Sequence, residues 1–347
     1  MDFPEVFFFE DDPTDEARGA EVFAQVVRDL GIENPFVVAS PHGDRLASKV
    51  EGPRAPERPA AADQKWAADV GSRAHRSGAD AIVAVGGGRC LDIAKLAAAR
   101  SGLQIIVAPT QLSHDGICSP VAVVPNEEGR TESIGAITPR AAFISMPTLL
   151  GAPAQSVAAG IGDLLANPLA LRDWALAAEH GLEEIDQRAW DLSTQSFELI
   201  EPRLDSDPQT LTKDPEFLRL LADALVQSGM SMICSGTSRP ASGGEHEISH
   251  AMDELFGGRA MHGEQVAFGC IISVALYEED TTLFRKRLRG LGLPQEPADL
   301  QLSTDELIRV LLEAPETRPG RFTILEETDL DEAGARALVD RIWGGGL

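Results

Sequence analysis

The 347-residue sequence predicts an α/β N-terminal domain with a parallel sheet, followed by an all-helical C-terminal domain. Up to about residue 145, helix-like and strand-like segments alternate at the spacing of βαβ units. An apolar run at residues 81–85 ends in three glycines, as a buried central strand does before a turn. After residue 148 the strand signals end and helical periodicity continues. We therefore predict two domains, residues 1–148 and residues 149–347.

The N-terminal elements follow from periodicity and composition. Helical periodicity covers residues 15–30, and the apolar sequence PFVVAS at residues 35–40 predicts a buried strand. Two more helices are predicted, at residues 60–77 and in the Ala-rich segment 91–100. The other predicted strands are residues 81–85, 104–108, 121–124 and 142–144, the last two near the end of the sheet. We assign no role to the acidic and aromatic residues 1–13.

The second half of the chain consists of predicted helices. They cover residues 153–179, 182–200, 215–234, 246–255, 263–277, 304–312 and 331–343. Because the two halves differ in class, a cleft is expected between them, and such clefts commonly bind ligands.

Composition and charge exclude several classes of protein. The net charge of −25 would repel nucleic-acid phosphates, so we expect no nucleic-acid partner. The four cysteines are far apart, which argues against a disulfide framework and a thiolate zinc site. The N-terminus lacks a signal sequence, and the best apolar stretch, residues 156–178, is interrupted by charges and a proline. We therefore expect no membrane span and a cytoplasmic location.

Two polar turns follow neighbouring strands. Gly86, Gly87 and Gly88 precede a helix, where bare backbone and free N–H groups favour a phosphate. The turn is neither G-x-G-x-x-G nor a P-loop, so a tight turn that binds nothing is an equal alternative. The next strand leads into PTQLSHDGICSP at residues 109–120, which carries hydroxyls, an imidazole and a carboxylate. Because ligands of open α/β sheets bind at the carboxyl ends of strands, the two turns together favour a ligand site.

Three of the seven histidines, His246, His250 and His262, lie in a glycine-punctuated block at residues 236–265. His246 and His250 fit H-E-x-x-H, the zinc peptidase helix, with Glu247 as the base. The block also fits a metal-dependent dehydrogenase, in which His246 and His262 bind the metal. His250 follows His246 by one helical turn, so both would face the same cavity.

Together these motifs resemble those of the sn-glycerol-1-phosphate dehydrogenases, a branch of the dehydroquinate synthase-like and iron-containing alcohol dehydrogenase superfamily. The block from SRPASG to HGEQV is highly specific to this branch. The resemblance implies a dehydroquinate synthase-like fold with a nucleotide-binding parallel sheet. The matching pieces, in chain order, are GGGRCLDIAK (86–95), PTQLSHDGICSPVA (109–122), AGIGDLLANPLALRDWALA (159–177), GTSRPASGGEHEISHAMD (236–253) and MHGEQVAFG (261–269).

The resemblance also implies roles for individual residues. The metal ligands would be Asp163, His246 and His262, and the metal is usually zinc, with nickel or iron possible. Asp115 and His250 would contact the substrate, beside Asp163, and His250 could relay a proton. The implied reaction is reversible reduction of dihydroxyacetone phosphate by NADH or NADPH to sn-glycerol 1-phosphate, the start of archaeal-type ether phospholipids. The cofactor would be held by Gly86, Gly87, Gly88, Asp92, Thr110, Ser113 and Ser119.

Two alternatives stay open. A zinc peptidase would leave the glycine turn unexplained, and if it is rejected Glu247 becomes a solvated helix residue. An enzyme of the same fold could act on another ketone, aldehyde or polyol phosphate. The family usually has an acidic residue after the strand here, whereas this chain reads FISMP (143–147), and this difference leaves the substrate open. A sugar-phosphate cyclase would need more basic residues around the substrate phosphate than this sequence offers, since the candidates are only Lys95, Arg89 and Arg239.

The choice between NAD and NADP is also open, because the strand at residues 36–40 is followed by neither a clear acid nor an arginine. Ligand type alone does not separate zinc from nickel or iron. A homo-oligomer is the general expectation for such an enzyme.

Overall fold

Parallel strands form the main sheet of the protein. The structure, a computed structural model, describes residues 3–10, 12, 14–56, 62–129, 131–206 and 208–344. The strands are β1 (Glu5–Phe9), β2 (Pro35–Ala39), β3 (Ala81–Gly86), β4 (Gln104–Pro109), β5 (Val121–Pro125), β6 (Thr131–Gly135) and β7 (Ala141–Ser145). The main sheet has the order β1–β7–β4–β3–β2, and every neighbouring pair is parallel. This confirms the predicted α/β class of the N-terminal half.

The central strand β3 is buried on both faces, as its continuous apolar sequence predicts. Ile82 and Ala84 point into the largest apolar cluster, whereas Val83 and Val85 point into a second cluster on the opposite face. The largest cluster continues into the helical half, where it includes Phe268. The sheet and the helices therefore share one core.

Three features of the strands differ from the prediction. Strand β1 is an edge strand that pairs with β7, although no strand was predicted in the acidic N-terminal segment. Strand β5 does not extend the main sheet but forms a separate antiparallel pair with β6. Strand β7 lies inside the sheet, between β1 and β4, because β1 covers its outer edge.

Helices cover both faces of the sheet and make up the second half of the described chain. Within the α/β half they are α1 (Glu16–Asp29), α2 (Gln64–Arg76) and α3 (Gly88–Ser101). The others are α4 (Met146–Leu150), α5 (Ala154–Leu164), α6 (Asn167–Glu179), α7 (Gln187–Ile200), α8 (Pro208–Leu211), α9 (Pro215–Ser235), α10 (Gly244–Phe256), α11 (His262–Leu276), α12 (Thr282–Gly290), α13 (Thr304–Glu313), α14 (Ile324–Thr328) and α15 (Glu332–Trp343). The predicted start of the second helix, Ala60, lies outside the described residues.

The helix predicted at residues 153–179 is in fact two helices, α5 and α6, separated near Leu165. Pro168 stands in the first turn of α6, where its missing N–H has no helical partner to lose. The break comes directly after Asp163, which places this carboxylate at the end of α5. Helices α12 and α14 were not predicted.

Helix α9 is long and apolar enough to cross a membrane by length and composition, with a mean hydropathy of 1.3. Of its most apolar window, 67% is buried inside the protein, as in the core helix of a globular domain. The apolar stretch that stands out in the sequence, residues 156–178, belongs instead to α5 and α6.

Candidate active site

A cavity of about 530 Å³ lies where the strand ends of the α/β half face the helices of the second half. Its size is typical of pockets that hold small molecules. Residues from both predicted turns and from the histidine block line it, including Gly87, Gly88, Asp115, His246 and His262. The structure therefore brings together motifs that are more than 100 residues apart in the chain.

Three side chains with metal-ligand chemistry meet at this cavity: Asp163 near the end of α5, His246 in the first turn of α10, and His262 as the first residue of α11. Their ligand atoms all lie within 4.8 Å of one another. The Nε2 atoms of His246 and His262 each lie 3.7 Å from Oδ1 of Asp163. These distances are too long for hydrogen bonds.

The three side chains fit a metal ion. Ligand distances of about 2.0–2.2 Å in tetrahedral geometry place two ligand atoms roughly 3.4 Å apart, close to the spacing observed here. Two imidazoles and one carboxylate are donors that suit zinc, nickel or iron. Only three protein ligands are present in the group, so further positions would stay open for substrate, as a catalytic site requires.

The close approach of α5 and α11 sets this spacing. Gly162 precedes Asp163, and Gly263 follows His262. A Cβ added to Gly263 would lie 1.9 Å from the carbonyl oxygen of Ala159, and one added to Gly162 would lie 2.3 Å from the carbonyl oxygen of Gly263. The two helices can therefore touch backbone to backbone only because both positions are glycine.

The charges of the cluster are strongly coupled. Burial alone would raise the pKa of Asp163, but the neighbouring imidazoles lower it below its ordinary value, so this group stays ionised. Burial alone would lower the pKa of His246, but its two carboxylate neighbours raise it to about 9. Burial and the charge of His246 lower the pKa of His262 to about 3. The cluster thus holds one anionic oxygen and one neutral imidazole nitrogen ready for a cation.

His246 is held from behind by a buried acid. Oε1 of Glu245 lies 2.9 Å from Nδ1 of His246 and also accepts from the backbone N–H of Gly243. A carboxylate on Nδ1 leaves Nε2 free to face the cavity. Asp173 lies close by and accepts hydrogen bonds from Tyr277 and from the N–H of Gly244. Burial and the charge of Glu245 raise the pKa of Asp173 to about 7.

His250 stands apart from the three metal-binding side chains. Its ring centre is 6.5 Å from that of His246 and 6.2 Å from that of His262. Its Nε2 lies 3.2 Å from Nη2 of Arg318. Because a guanidinium can only donate, Nε2 of His250 must accept and the imidazole is neutral. Burial and Arg318 lower the pKa of His250 well below its ordinary value.

The expectation that Glu247 is solvated is wrong. Its side chain is completely buried, and one carboxylate oxygen accepts a hydrogen bond from Thr323. Burial and the charge of Glu326 raise the pKa of Glu247 to about 8. The residue is buried because the segment that leads into α14 covers this side of α10, and the sequence pattern of α10 alone did not reveal that cover.

The glycine turn lies beside the loop that follows β4. In the parallel register of β3 and β4, Gly86 is paired with Pro109. A Cβ on Gly87 would lie 2.9 Å from the side chain of Gln111. Gly87 also lines a second cavity of about 400 Å³ together with Thr110. The N-terminus of α3 thus opens towards both cavities.

The other residues predicted to hold the cofactor occupy different settings. Ser113 and Ser119 are nearly buried and line the main cavity. Asp92 also lines it, but its carboxylate lies 3.0 Å from Nζ of Lys95 and accepts from the N–H of Val123. Lys95 is fully buried and donates to the carbonyl of Gly116. This pair fastens the loop and the β5–β6 hairpin to α3.

Asp115 lies between the loop and the three metal-binding side chains. Its backbone N–H donates to Oδ2 of Asp163 over 2.9 Å, and its carboxylate accepts from the hydroxyl of Ser228. Burial, together with the charge of Asp163, raises the pKa of Asp115 to about 7. The group lines the cavity and can therefore exchange a proton there near neutral pH.

Sequence reasoning missed two residues at this site. Glu245 directly precedes His246 in the sequence, and an acid next to a metal-ligating histidine is a signal that can reveal such a partner. Arg318 comes from a Pro-rich connection between α13 and α14, and nothing in its local sequence indicates that it reaches the cavity.

Comparisons with known proteins identify the family and the fold of this chain. The family model described as iron-containing alcohol dehydrogenase matches residues 25–153. A glycerol-1-phosphate dehydrogenase [NAD(P)+] from Methanocorpusculum labreanum is 37% identical over 276 residues, which cover 80% of this chain and 75% of that protein. The enzyme of the same description from Hyperthermus butylicus is 37% identical over 257 residues, covering 74% of this chain and 72% of that one.

Solved structures share the fold over nearly the whole chain. A probable glycerol dehydrogenase from Sinorhizobium meliloti superimposes with a TM-score of 0.79 at 21% identity and covers 98% of this chain and 97% of that one. The NADH-dependent butanol dehydrogenase A from Thermotoga maritima gives a TM-score of 0.72 at 14% identity, with 99% and 98% covered. At these identities the structures establish the fold alone.

Proposed function

Because this chain belongs to the glycerol-1-phosphate dehydrogenase family, we propose that it reduces dihydroxyacetone phosphate reversibly to sn-glycerol 1-phosphate with NADH or NADPH. The observation that carries this proposal is that Asp163 meets His246 and His262, and that these two histidines line the same cavity as the glycine turn. A metal site and an anion-binding helix start in one pocket are the parts that metal-dependent hydride transfer needs.

We assign the metal to Asp163, His246 and His262, and we propose zinc as the ion. When bound, it would supply a Lewis acid that polarises the substrate carbonyl. Glu245 fixes the ring of His246 so that Nε2 faces the cavity. Asp163 is in turn held by the backbone N–H of Asp115. These contacts keep the donor atoms aligned without help from the substrate.

We assign the cofactor to the turn of Gly86, Gly87 and Gly88 at the start of α3. When bound there, the cofactor would supply the hydride through its nicotinamide. The N-cap position is Gly87, and no side chain caps the helix, so the first N–H groups of α3 are available to a pyrophosphate. Thr110, Ser113 and Ser119 offer hydroxyls nearby. Asp92 contributes to this site indirectly, because its carboxylate pairs with Lys95.

We place the substrate between Asp115 and His250. Burial raises the pKa of Asp115 to about 7, so near neutral pH a substantial fraction of the protein carries a proton there, and this proton can neutralise the oxygen that forms at C2. His250 is a neutral hydrogen-bonding group, since Arg318 occupies its Nε2. The peptidase alternative loses its support here, because the donor group contains His262 and not His250.

The test is a cofactor oxidation assay with purified protein loaded with zinc. NADH and NADPH are each combined with dihydroxyacetone phosphate, dihydroxyacetone or glyceraldehyde 3-phosphate. We expect the highest kcat/KM with dihydroxyacetone phosphate. Faster turnover of an unphosphorylated ketone would overturn the substrate, and no oxidation of either cofactor by any carbonyl would overturn the class.

A further inference from the structure

We propose that Arg318 and Arg321 form the subsite that binds the phosphate group of the substrate. The inference rests on the proposed function for its choice of a phosphomonoester. Neither arginine was singled out from the sequence. Both lie in the connection between α13 and α14, far along the chain from the metal ligands.

The two guanidinium groups bracket the same pair of serines. Arg318 donates through Nη1 to the hydroxyls of Ser242 at 2.8 Å and Ser238 at 3.1 Å. Arg321 donates to the hydroxyl of Ser238 at 3.0 Å and to the carbonyl of Ser242 at 2.5 Å. Two cations and two hydroxyls therefore converge on one spot. Fixed forks of N–H donors beside rotatable hydroxyls match the geometry of a phosphate.

The positive charge at this spot is offset only at longer range, by Glu247 and Glu245, and not by a contact ion pair. Among the described residues no carboxylate lies within ion-pair distance of Arg318 or Arg321, whereas neighbouring Arg239 contacts Glu183 at 2.5 Å. The Nε of Arg321 is buried and has no hydrogen-bond partner in the described structure. Burial and the charge of Arg318 lower the pKa of Arg321 to about 9. Holding two such cations side by side is costly unless an anion joins them.

The position of the pair suits a three-carbon phosphate. Arg318, Ser238 and Ser242 line the same cavity as His246 and His262, and Arg321 reaches this lining through its hydrogen bonds to the two serines. His250 stands between, in contact with Arg318 on one side and with its ring centre 6.2 Å from that of His262 on the other. A phosphate bound to Arg318 and a carbonyl bound beside His262 would therefore be separated by about the width of the His250 side chain. Lys95 and Arg239, considered from sequence, are occupied by structural contacts instead.

The test compares Arg318→Gln and Arg321→Gln with the exposed control Arg336→Gln, all in the zinc-loaded full-length enzyme. Arg336 lies on α15 and pairs with Asp305 at the surface. For each protein, kcat/KM is measured with dihydroxyacetone phosphate and with dihydroxyacetone, and binding of inorganic phosphate is measured by calorimetry. We expect the preference for the phosphorylated ketone to fall on the order of 10- to 100-fold in the two variants, because each removes a charge-assisted hydrogen bond. Phosphate binding should weaken to a similar extent, and the control should match wild type.

Equal losses with both ketones, or unchanged phosphate binding, would overturn the subsite. If a glutamine variant does not fold, Arg318→Met, which keeps the aliphatic stem and removes the charge, replaces it, and a preserved preference for the phosphorylated ketone together with unchanged phosphate binding would again refute the proposal. Failure of the proposed function is distinguishable: wild-type protein would then not reduce dihydroxyacetone phosphate, yet phosphate binding would still depend on Arg318.

Discussion

Substitution of Gly263 by alanine should separate α5 from α11 and damage the metal site without touching a ligand. The added Cβ would lie 1.9 Å from the carbonyl oxygen of Ala159, whereas real Cβ contacts are not shorter than 3.0 Å, so the helices must part by about 1 Å. Overpacking of this kind costs roughly 1–3 kcal/mol of stability. The distance from Asp163 to His262 would grow from 3.7 Å by a similar amount, well beyond tetrahedral spacing.

The assay is zinc affinity by competition with a chromophoric chelator, together with the free energy of unfolding in urea. We expect Gly263→Ala to lose roughly 1–3 kcal/mol of stability and at least about tenfold in zinc affinity. The control is Gly290→Ala, since nothing lies within 4 Å of its added Cβ at the exposed end of α12. That variant should be neutral or stabilised by up to about 1 kcal/mol. Wild-type zinc affinity and stability in Gly263→Ala would refute the close-contact argument.

Three further predictions concern the metal-binding residues. Glu245→Gln should keep the fold but weaken zinc binding by roughly 10- to 100-fold, because His246 loses its carboxylate partner; an unchanged Kd in a chelator titration would count against this. His262→Ala should lose both metal and activity, whereas Glu247→Gln should keep metal content and turnover. Because the pKa of Glu247 in the folded protein, about 8, exceeds its ordinary value, Glu247→Gln should also lose less stability than wild type as pH rises from about 4.5 to 8. Loss of activity in Glu247→Gln with metal retained would revive the peptidase interpretation. The affinity for zinc should fall about tenfold for each pH unit below 9, since His246 must release a proton before it can bind the metal. A zinc affinity that does not change between pH 6 and 8 would contradict the assignment of His246 as a ligand.

The elements with strong local signals were predictable from the sequence. The apolar run that ends in glycines gave β3 and the start of α3, and periodicity gave α1, α7 and α9 to within a few residues. The resemblance to a known family named Asp163, His246 and His262 as ligands, and the structure brings these three together.

What could not be predicted depends on distant partners. Strand β1 exists because β7, more than 130 residues later, offers an edge to an acidic and aromatic segment. The β5–β6 pair stands apart from the main sheet and packs on α3, and the sequence of Val121 and its neighbours does not encode this contact locally. Glu247 is buried by Thr323, and Arg318 reaches the cavity from the same distant connection. Such contacts follow from tertiary packing rather than from periodicity.

The central claim is that metal held by Asp163, His246 and His262 serves the reduction of a phosphorylated ketone in this cavity. The most direct measurement is the rate of NAD(P)⁺ reduction with each enantiomer of glycerol phosphate, before and after removal of metal by a chelator. We predict turnover with sn-glycerol 1-phosphate only, loss of that turnover on chelation and its return when zinc is added back. Equal rates with both enantiomers, or full activity in the chelated protein, would contradict the account.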